Sequence, residues 1–220
     1  MTVASLYDLY LRQFDDKASG YFLTYETFLE FLKEAQDEAC LRSNLIFDKI
    51  SAFCTIPVIS GTATYALNAA IYSIYYATIT DVDGAVTAIN QTDRIELDRL
   101  SADWRTRTEI PAGFIHDDTS IELVPKPNAA FTLNIEVYRL PVTVLTNITD
   151  VPEINKAYHC ALVDYALYRA FSMPDNELYD LNKAKHFEEK FIRVFGHRSR
   201  ATTRRAQYAN RPLRNKACFI

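Results

Sequence analysis

The spacing of apolar residues changes from helical to β and back to helical along this chain. Residues 24–43 (TYETFLEFLKEAQDEACLRS) repeat apolar side chains such as Phe28 and Leu32 at helical intervals, and Thr24 is a candidate N-cap. From about residue 52, short β-rich runs separated by turns follow, and helical spacing returns after residue 150. Because the helical ends enclose the β segment, the sequence predicts an α+β fold: a bundle of about four helices with a small antiparallel β domain inserted into it.

The β segment contains seven runs with strand character. In FTLNIEVYRL the apolar residues from Phe131 to Val137 alternate with polar ones, and Arg139 falls on the apolar side. DVDG at 81–84 is typical of a hairpin turn. The runs are FCTIPVI, TATYAL, IYSIYYATI, AVTAI, GFIHD, SIELVP and FTLNIEVYRL.

These patterns predict three parts of the chain. Residues 1–50 and 150–196 should form the helical domain, residues 51–149 the inserted β domain, and residues 197–220 an extended basic C-terminal docking tail. The helices of the helical domain are expected over residues 2–16, 24–43, 150–172 and 175–195. In the third helix Asp150 is the expected cap, with Pro152 in the first turn, and Gly196 should end the fourth.

The last 24 residues carry a charge opposite to the rest of the chain. The whole chain has a formal charge of −4, and the six Arg and one Lys of residues 197–220, with no acid among them, leave −11 on residues 1–196. This tail has no helical apolar spacing and should be extended. It ends in an apolar group that includes Phe219 and Ile220. We therefore expect it to dock on an acidic partner, either a protein or a nucleic acid.

Catalytic motifs are lacking in the sequence. His159 and Cys160 are adjacent, but neighbouring residues on a helix point about 100° apart and cannot form a thiol–imidazole dyad. The four cysteines are far apart and have no metal-like spacing, and the sequence has no phosphate-binding, dinucleotide-binding or zinc-hydrolase motif. We expect neither cofactor nor metal, and no catalytic residue.

The segment LDRLSADWRTRTEI (97–110) allows two interpretations. The only Trp, Trp104, lies among Arg99, Arg105 and Arg107, which would suit stacking and phosphate contacts with a nucleic acid. The nearby acids Asp98, Asp103 and Glu109 nearly cancel those charges, which favours a surface loop anchored by the Trp side chain.

The predicted helix at 150–172 is apolar nearly all the way round. Such a helix is buried on both sides, either as the central helix of a monomer or against a second subunit. The sequence therefore nominates Tyr158, Leu162, Tyr165 and Phe171 as a subunit interface.

No apolar run is long enough to span a bilayer, so we expect no membrane partner.

Taken in order, a set of segments resembles the head-to-tail adaptor, or connector, proteins of tailed bacteriophages, in particular those of short-tailed phages. The segments cover nearly the whole chain. They are YETFLEFLKEAQDEACLRSN, GTATYAL, IYSIYYATITDVDG, ADWR, SIELVPKPNAAFTLNIEVYRLP, VPEINKAYHCALVDYALYRAF, FEEKFIRVFG and RRAQYANRP.

The resemblance implies a structural virion protein of the head–tail interface, assembled in the host cytoplasm after DNA packaging. It implies a homo-oligomeric ring, usually a dodecamer, with the portal protein above it and a tail or nozzle protein below it. Genomic DNA would pass through the ring without sequence-specific binding, and the acidic body would suit such a channel. The tail would dock on the portal through Arg198, Arg200, Arg204, Arg205, Arg211, Arg214, Phe219 and Ile220.

Two other functions stay open on sequence grounds. The first is a virion-associated peptidoglycan hydrolase, which needs two carboxylates in one cleft roughly 5–10 Å apart. The second is a DNA-binding protein that acts through its basic C-terminal tail.

Overall fold

The computed structural model describes residues 1–14, 24–174 and 179–198. The described residues divide into two compact units. The helical unit lies within residues 1–46 and 139–198, and the β unit is residues 47–138. The described residues contain five α-helices: α1 (Val3–Phe14), α2 (Tyr25–Ser43), α3 (Arg94–Leu100), α4 (His159–Phe171) and α5 (Leu181–Phe195).

The ends of α2 and α5 follow capping rules that the sequence displays. The Thr24 hydroxyl accepts a hydrogen bond from the Thr27 amide at 3.3 Å, as predicted. Asp180 accepts bonds from two amides in the first turn of α5. The predicted stop at Gly196 is confirmed, since its φ of 75° lies in the left-handed region and its amide donates to the Ile192 carbonyl.

The predicted start of the third helix is wrong. Asp150 does not cap a helix, because its Oδ2 accepts bonds from the preceding Thr146 and Asn147 amides, both at 2.8 Å. A short 3-10 turn at Lys156–Tyr158, capped by Asn155, precedes α4. The helix therefore begins nine residues later than the sequence suggested, at His159.

The β unit is a large mixed sheet. Its eight-stranded part has the order β1-β10-β4-β5-β7-β8-β3, and β2 also pairs with β10. A two-stranded sheet joins β6 and β9. The strands are β1 (Phe47–Asp48), β2 (Thr55–Val58), β3 (Thr64–Ala66), β4 (Ile71–Thr80), β5 (Val86–Gln91), β6 (Thr108–Glu109), β7 (Gly113–His116), β8 (Ser120–Val124), β9 (Lys126–Pro127) and β10 (Phe131–Arg139).

The predicted fold class, a helical bundle with a small inserted antiparallel β domain, is therefore wrong. The sheet is a dominant part of the fold, and it is not wholly antiparallel: β5 runs parallel to β7, with Asn90 opposite Gly113, and β6 runs parallel to β9. Parallel neighbours need a long crossover, and the connection from β5 to β7, which contains α3, supplies one.

Alternating burial defines the core of the β unit. In β10 the odd-numbered residues from Phe131 to Arg139 are buried and the even-numbered ones are half-buried, as the sequence predicted. Leu133, Ile135 and Val137 pack in one apolar cluster with residues of β4, β7 and β8. The opposite face of β10 stays in contact with solvent.

Candidate assembly surfaces

Helix α4 lies at the centre of the helical unit. Leu162 is completely buried and Phe171 is 4% exposed. The Phe171 ring stacks on Phe187 of α5, with the centroids 5.8 Å apart and an interplanar angle of 4°. Both proposed interface residues are thus already covered by their own chain.

The two tyrosines of the predicted interface are less enclosed. Tyr165 lies 5.0 Å from the ring of Phe191, and Tyr158 lies 5.6 Å from that of Phe195. Both tyrosines stay half-buried. Burial raises the pKa of Tyr165, so its hydroxyl is neutral at physiological pH. A second subunit could reach these two rings without any change in the helical unit.

His159 and Cys160 do not form a reactive pair. His159 is buried, with its Nε2 at 2.9 Å from the Ile154 carbonyl and its Nδ1 at 3.0 Å from the Met1 amine. Cys160 is exposed, and its Sγ contacts the Met1 sulfur at 3.6 Å. Because both ring nitrogens have other partners, the imidazole has no free nitrogen to activate the thiol.

Most of the predicted docking tail lies outside the described residues. Arg198 is described and exposed, and its Nη1 contacts Glu38 of α2 at 3.2 Å. Glu38 also accepts a bond from Arg42 at 2.8 Å. One glutamate therefore binds two arginines where the tail begins. The residues outside the described part are Arg200, Arg204, Arg205, Arg211, Arg214, Phe219 and Ile220.

A partly buried ion pair, which the sequence did not predict, lies in the helical unit. Arg139 Nη2 is 2.6 Å from Glu153 Oε1, and Glu153 Oε2 accepts bonds from the Val142 and Thr143 amides at 2.9 and 3.3 Å. Partial burial opposes ionisation of Glu153, but these bonds outweigh it and lower its pKa. The Glu153 amide in turn donates to Gln36 of α2 at 2.9 Å. The cluster fixes the segment after β10 against the helices.

Arg105 and Arg107, two of the three arginines around Trp104, are paired with acids, as the surface-loop interpretation leads one to expect. The buried indole donates to Asp98 Oδ1 at 2.8 Å, and the Arg105 guanidinium lies 4.3 Å from the ring centroid. Arg105 also binds Asp98 through two bonds, which together with the indole bond lower the pKa of Asp98. Arg107 binds Glu109 at 2.8 Å. These arginines are held by acids of the same chain, which disfavours a phosphate-binding site here.

A cavity of about 250 Å³ opens beside the indole. Apolar side chains form most of its wall, and Asn90 and Gly113 also line it; a Cβ added at Gly113 would meet the Asn90 carbonyl oxygen at 3.0 Å. Arg107 contributes a charged side chain to the lining. The remaining lining residues are Thr92, Leu97, Ser101, Trp104, Ala112, Val124 and Pro125.

The DVDG segment is a tight hairpin turn between β4 and β5, as predicted. Gly84 has a φ of 83°, and its amide donates to the Asp81 carbonyl at 3.0 Å. Asp81 Oδ1 also accepts a bond from the Val82 amide at 2.6 Å. Val82 is 80% exposed at the tip, and Val86 is exposed where β5 begins. The turn thus exposes two apolar side chains to solvent, and hydrogen bonds fix its backbone.

Three aromatic rings on the solvent face of the sheet form a further exposed surface. Phe47, Tyr75 and Tyr138 lie on the adjacent strands β1, β4 and β10, with centroids 5.6 to 6.0 Å apart in edge-to-face contacts. Phe47 and Tyr75 are exposed.

The described residues show none of the features of a metal centre or a membrane segment. They contain no cluster of three or more His, Cys, Asp or Glu side chains that could hold a metal ion. None of their helices has the length and apolar character needed to cross a bilayer.

Comparison with protein families identifies the chain. The model of one family, the SU10 adaptor protein, matches residues 1–215. The chain belongs to the SU10 adaptor protein family. The SU10 adaptor match confirms the predicted relationship to phage head-to-tail adaptors and identifies a structural adaptor protein of a bacteriophage. No curated protein matches the chain.

Proposed function

We propose that this SU10 adaptor forms a dodecameric ring that joins the portal to the tail and lines the DNA exit channel. The observation that carries the proposal is the family match over residues 1–215, which includes both units and most of the tail. The partners are the portal protein above the ring, a tail or nozzle protein below it, and genomic DNA in the channel.

The charge distribution supports a channel that does not retain DNA. Residues 1–196, the acidic body of the chain, carry a formal charge of −11. A wall of this sign repels phosphates, whereas a DNA-binding surface gains affinity by pairing cations with them. Arg105 and Arg107 near Trp104 do not reverse this, since they bind acids of their own chain.

The tail supplies the proposed contact with the portal. Residues 199–220 carry five Arg and one Lys without an acid, and fully extended they could reach roughly 70 Å. Arg198 is exposed after the end of α5, so the tail starts at the surface of the helical unit. Rim arginines of this kind mainly speed docking, while Phe219 and Ile220 would slow release if they enter an apolar groove.

For the contact between subunits, we propose Tyr158 and Tyr165. These are the members of the nominated group that keep exposed surface, whereas Leu162 and Phe171 stabilise the helical unit itself. The proposal does not include enzymatic activity. The full chain should therefore leave no cleared band on a peptidoglycan zymogram. A cleared band would favour the alternative function, a peptidoglycan hydrolase.

The decisive test uses electron microscopy of the full chain mixed with its portal. Averages should show a ring seated on the portal, with a symmetry that gives the number of copies. A matched chain that ends at Gly196 keeps the stop of α5 and should fold but fail to join the portal. Equal co-purification of both chains with the portal would overturn docking by the tail. No ring on the portal with the full chain would overturn the adaptor proposal.

A further inference from the structure

The β unit carries an exposed apolar tip and an apolar cavity at opposite ends of strand β5. The tip is the β4–β5 turn with Val82 and Val86, and the cavity includes Asn90 and Thr92 in its lining. The six residues of β5 separate the two features by roughly 20 Å. The tip therefore cannot fill the cavity of its own chain, but it could fill that of another copy.

The cavity suits a side chain better than a small-molecule ligand. Its volume of about 250 Å³ lies below the roughly 300–1,000 Å³ of typical ligand pockets. Its walls are firmly held: Trp104 is bonded to Asp98 and covered by Arg105, and Asp93 caps α3 through the Glu96 amide at 2.8 Å. A preformed, mainly apolar cavity of this size has room for an aliphatic side chain.

The tip is equally well prepared for insertion. Turn positions normally carry polar residues or Gly, yet the apolar Val82 of this turn is 80% exposed. The bonds from Gly84 and Val82 to Asp81 hold the turn in one conformation. Docking would therefore cost little ordering entropy, because the tip is already fixed.

The charges of the two features are complementary. Asp81 and Asp83 flank Val82, and Arg107 lies in the cavity wall. The Glu109 bond uses the Nε of Arg107, so the Nη amino groups retain donors that can face a carboxylate of the entering turn.

We propose that the β4–β5 turn of each copy inserts Val82 into the Trp104 cavity of the next copy. The proposal rests on the ring proposed above and adds a repeating contact in the β unit to the one proposed at Tyr158 and Tyr165. The tip and the cavity are different surfaces of the same chain. Each copy therefore inserts its tip into one neighbour and accepts the tip of the other neighbour in its cavity. Such a heterologous contact continues from copy to copy until the ring closes.

Cross-linking in assembled particles tests this contact directly. The variant Val82→Cys/Leu97→Cys, in a chain with Cys160→Ser and Cys218→Ser, would be the sole adaptor in purified phage particles, and a short bismaleimide would link thiols. We expect a ladder of multimers on a denaturing gel. Particles assembled from an equal mixture of the two single-cysteine chains should give dimers and no longer products, because each pair of copies then shares only one link.

The controls separate this inference from the proposed function. Each single-cysteine chain alone should stay monomeric on the gel, and links within Val82→Cys alone would indicate a symmetric contact and overturn the proposal. If the chain is present in particles but the double variant gives no ladder, the insertion is wrong while the adaptor function stands. If the unmodified chain is absent from particles, the proposed adaptor function itself is refuted.

A second pair of variants tests the same contact without cross-links. Val82→Glu changes an exposed tip, so the monomer should keep its circular dichroism spectrum while the concentration needed for half-assembly rises at least tenfold. Ile50→Glu, at a residue of the same unit that is 89% exposed, is the matched control and should assemble normally. Equal assembly of both variants would overturn the proposal.

Discussion

Replacing Glu153 with alanine should lower the free energy of unfolding of the helical unit by about 3 kcal/mol. Removal of one partner of a buried ion pair typically costs about 3–5 kcal/mol, because the other charge stays buried. The lower end applies here, since the Glu153 side chain is 21% exposed while that of Arg139 is 10% exposed. The Val142 and Thr143 amides lose an acceptor but lie at exposed positions, where water can replace it at small cost.

Urea unfolding followed by far-UV circular dichroism measures this change, because most of the described helix lies in the helical unit. Glu34→Ala is the matched control: the Glu34–Arg169 pair is 3.4 Å long with both side chains more than 40% exposed, and its loss should cost no more than about 0.5 kcal/mol. Similar costs for the two variants would refute the reasoning.

The same pair predicts a dependence on pH. The folded pKa of Glu153 is lowered, so its contribution is fully present above its unfolded pKa of about 4.3 and is lost as pH falls through the folded value. The difference between the unmodified chain and Glu153→Ala should therefore be constant from neutral pH down to about pH 5 and shrink below pH 4. A difference that shrinks already near neutral pH would contradict this assignment.

Three further outcomes follow from the helical unit. Asp180→Ala removes the cap of α5 and should cost about 1 kcal/mol in urea unfolding, whereas Asp180→Asn should cost clearly less. Leu162→Asp puts an unpaired charge in the core and should yield no folded chain by circular dichroism; a native spectrum would argue against the burial of this residue. In a Cys218→Ser chain, Ellman's reagent at about pH 8 should titrate Cys160 alone until denaturant is added, because burial raises the pKa of Cys40 to about 12; a second fast thiol would contradict it.

The strands were predictable because their burial is local and regular. All seven predicted runs contain a strand, and in β10 even the inward position of Arg139 followed from alternation. The sheet as a whole was not predictable, since pairings between distant strands leave no periodic signal. Two-residue strands such as β1 and β9 are too short to show alternation, and the parallel register of Asn90 with Gly113 depends on the crossover that contains α3.

Helix α3 and the candidate surfaces show the limits of periodicity. Helix α3 has only seven residues and none of them is fully buried, so it is too short to show a repeated apolar face. The apolar pattern all round α4 fits both a central helix of one subunit and a helix at a subunit interface. At Phe171 only the structure decides between these two roles, because the ring stacks on Phe187 of α5. The Trp104 cavity joins residues from five separate segments, which no spacing rule brings together.

The insertion of the β unit between the parts of the helical unit determines the order in which the chain can fold on the ribosome. Helix α2 packs against α4, which emerges more than a hundred residues later. At typical synthesis rates of about 5–20 residues per second, the side of α2 that packs against α4, which includes Phe31 in contact with Arg169, waits for roughly 5–25 s without its final partner. The contiguous β unit can be complete by then. Nascent chains should therefore depend on chaperones through α2, and early release at residue 138 should leave a folded sheet attached to an aggregation-prone helix.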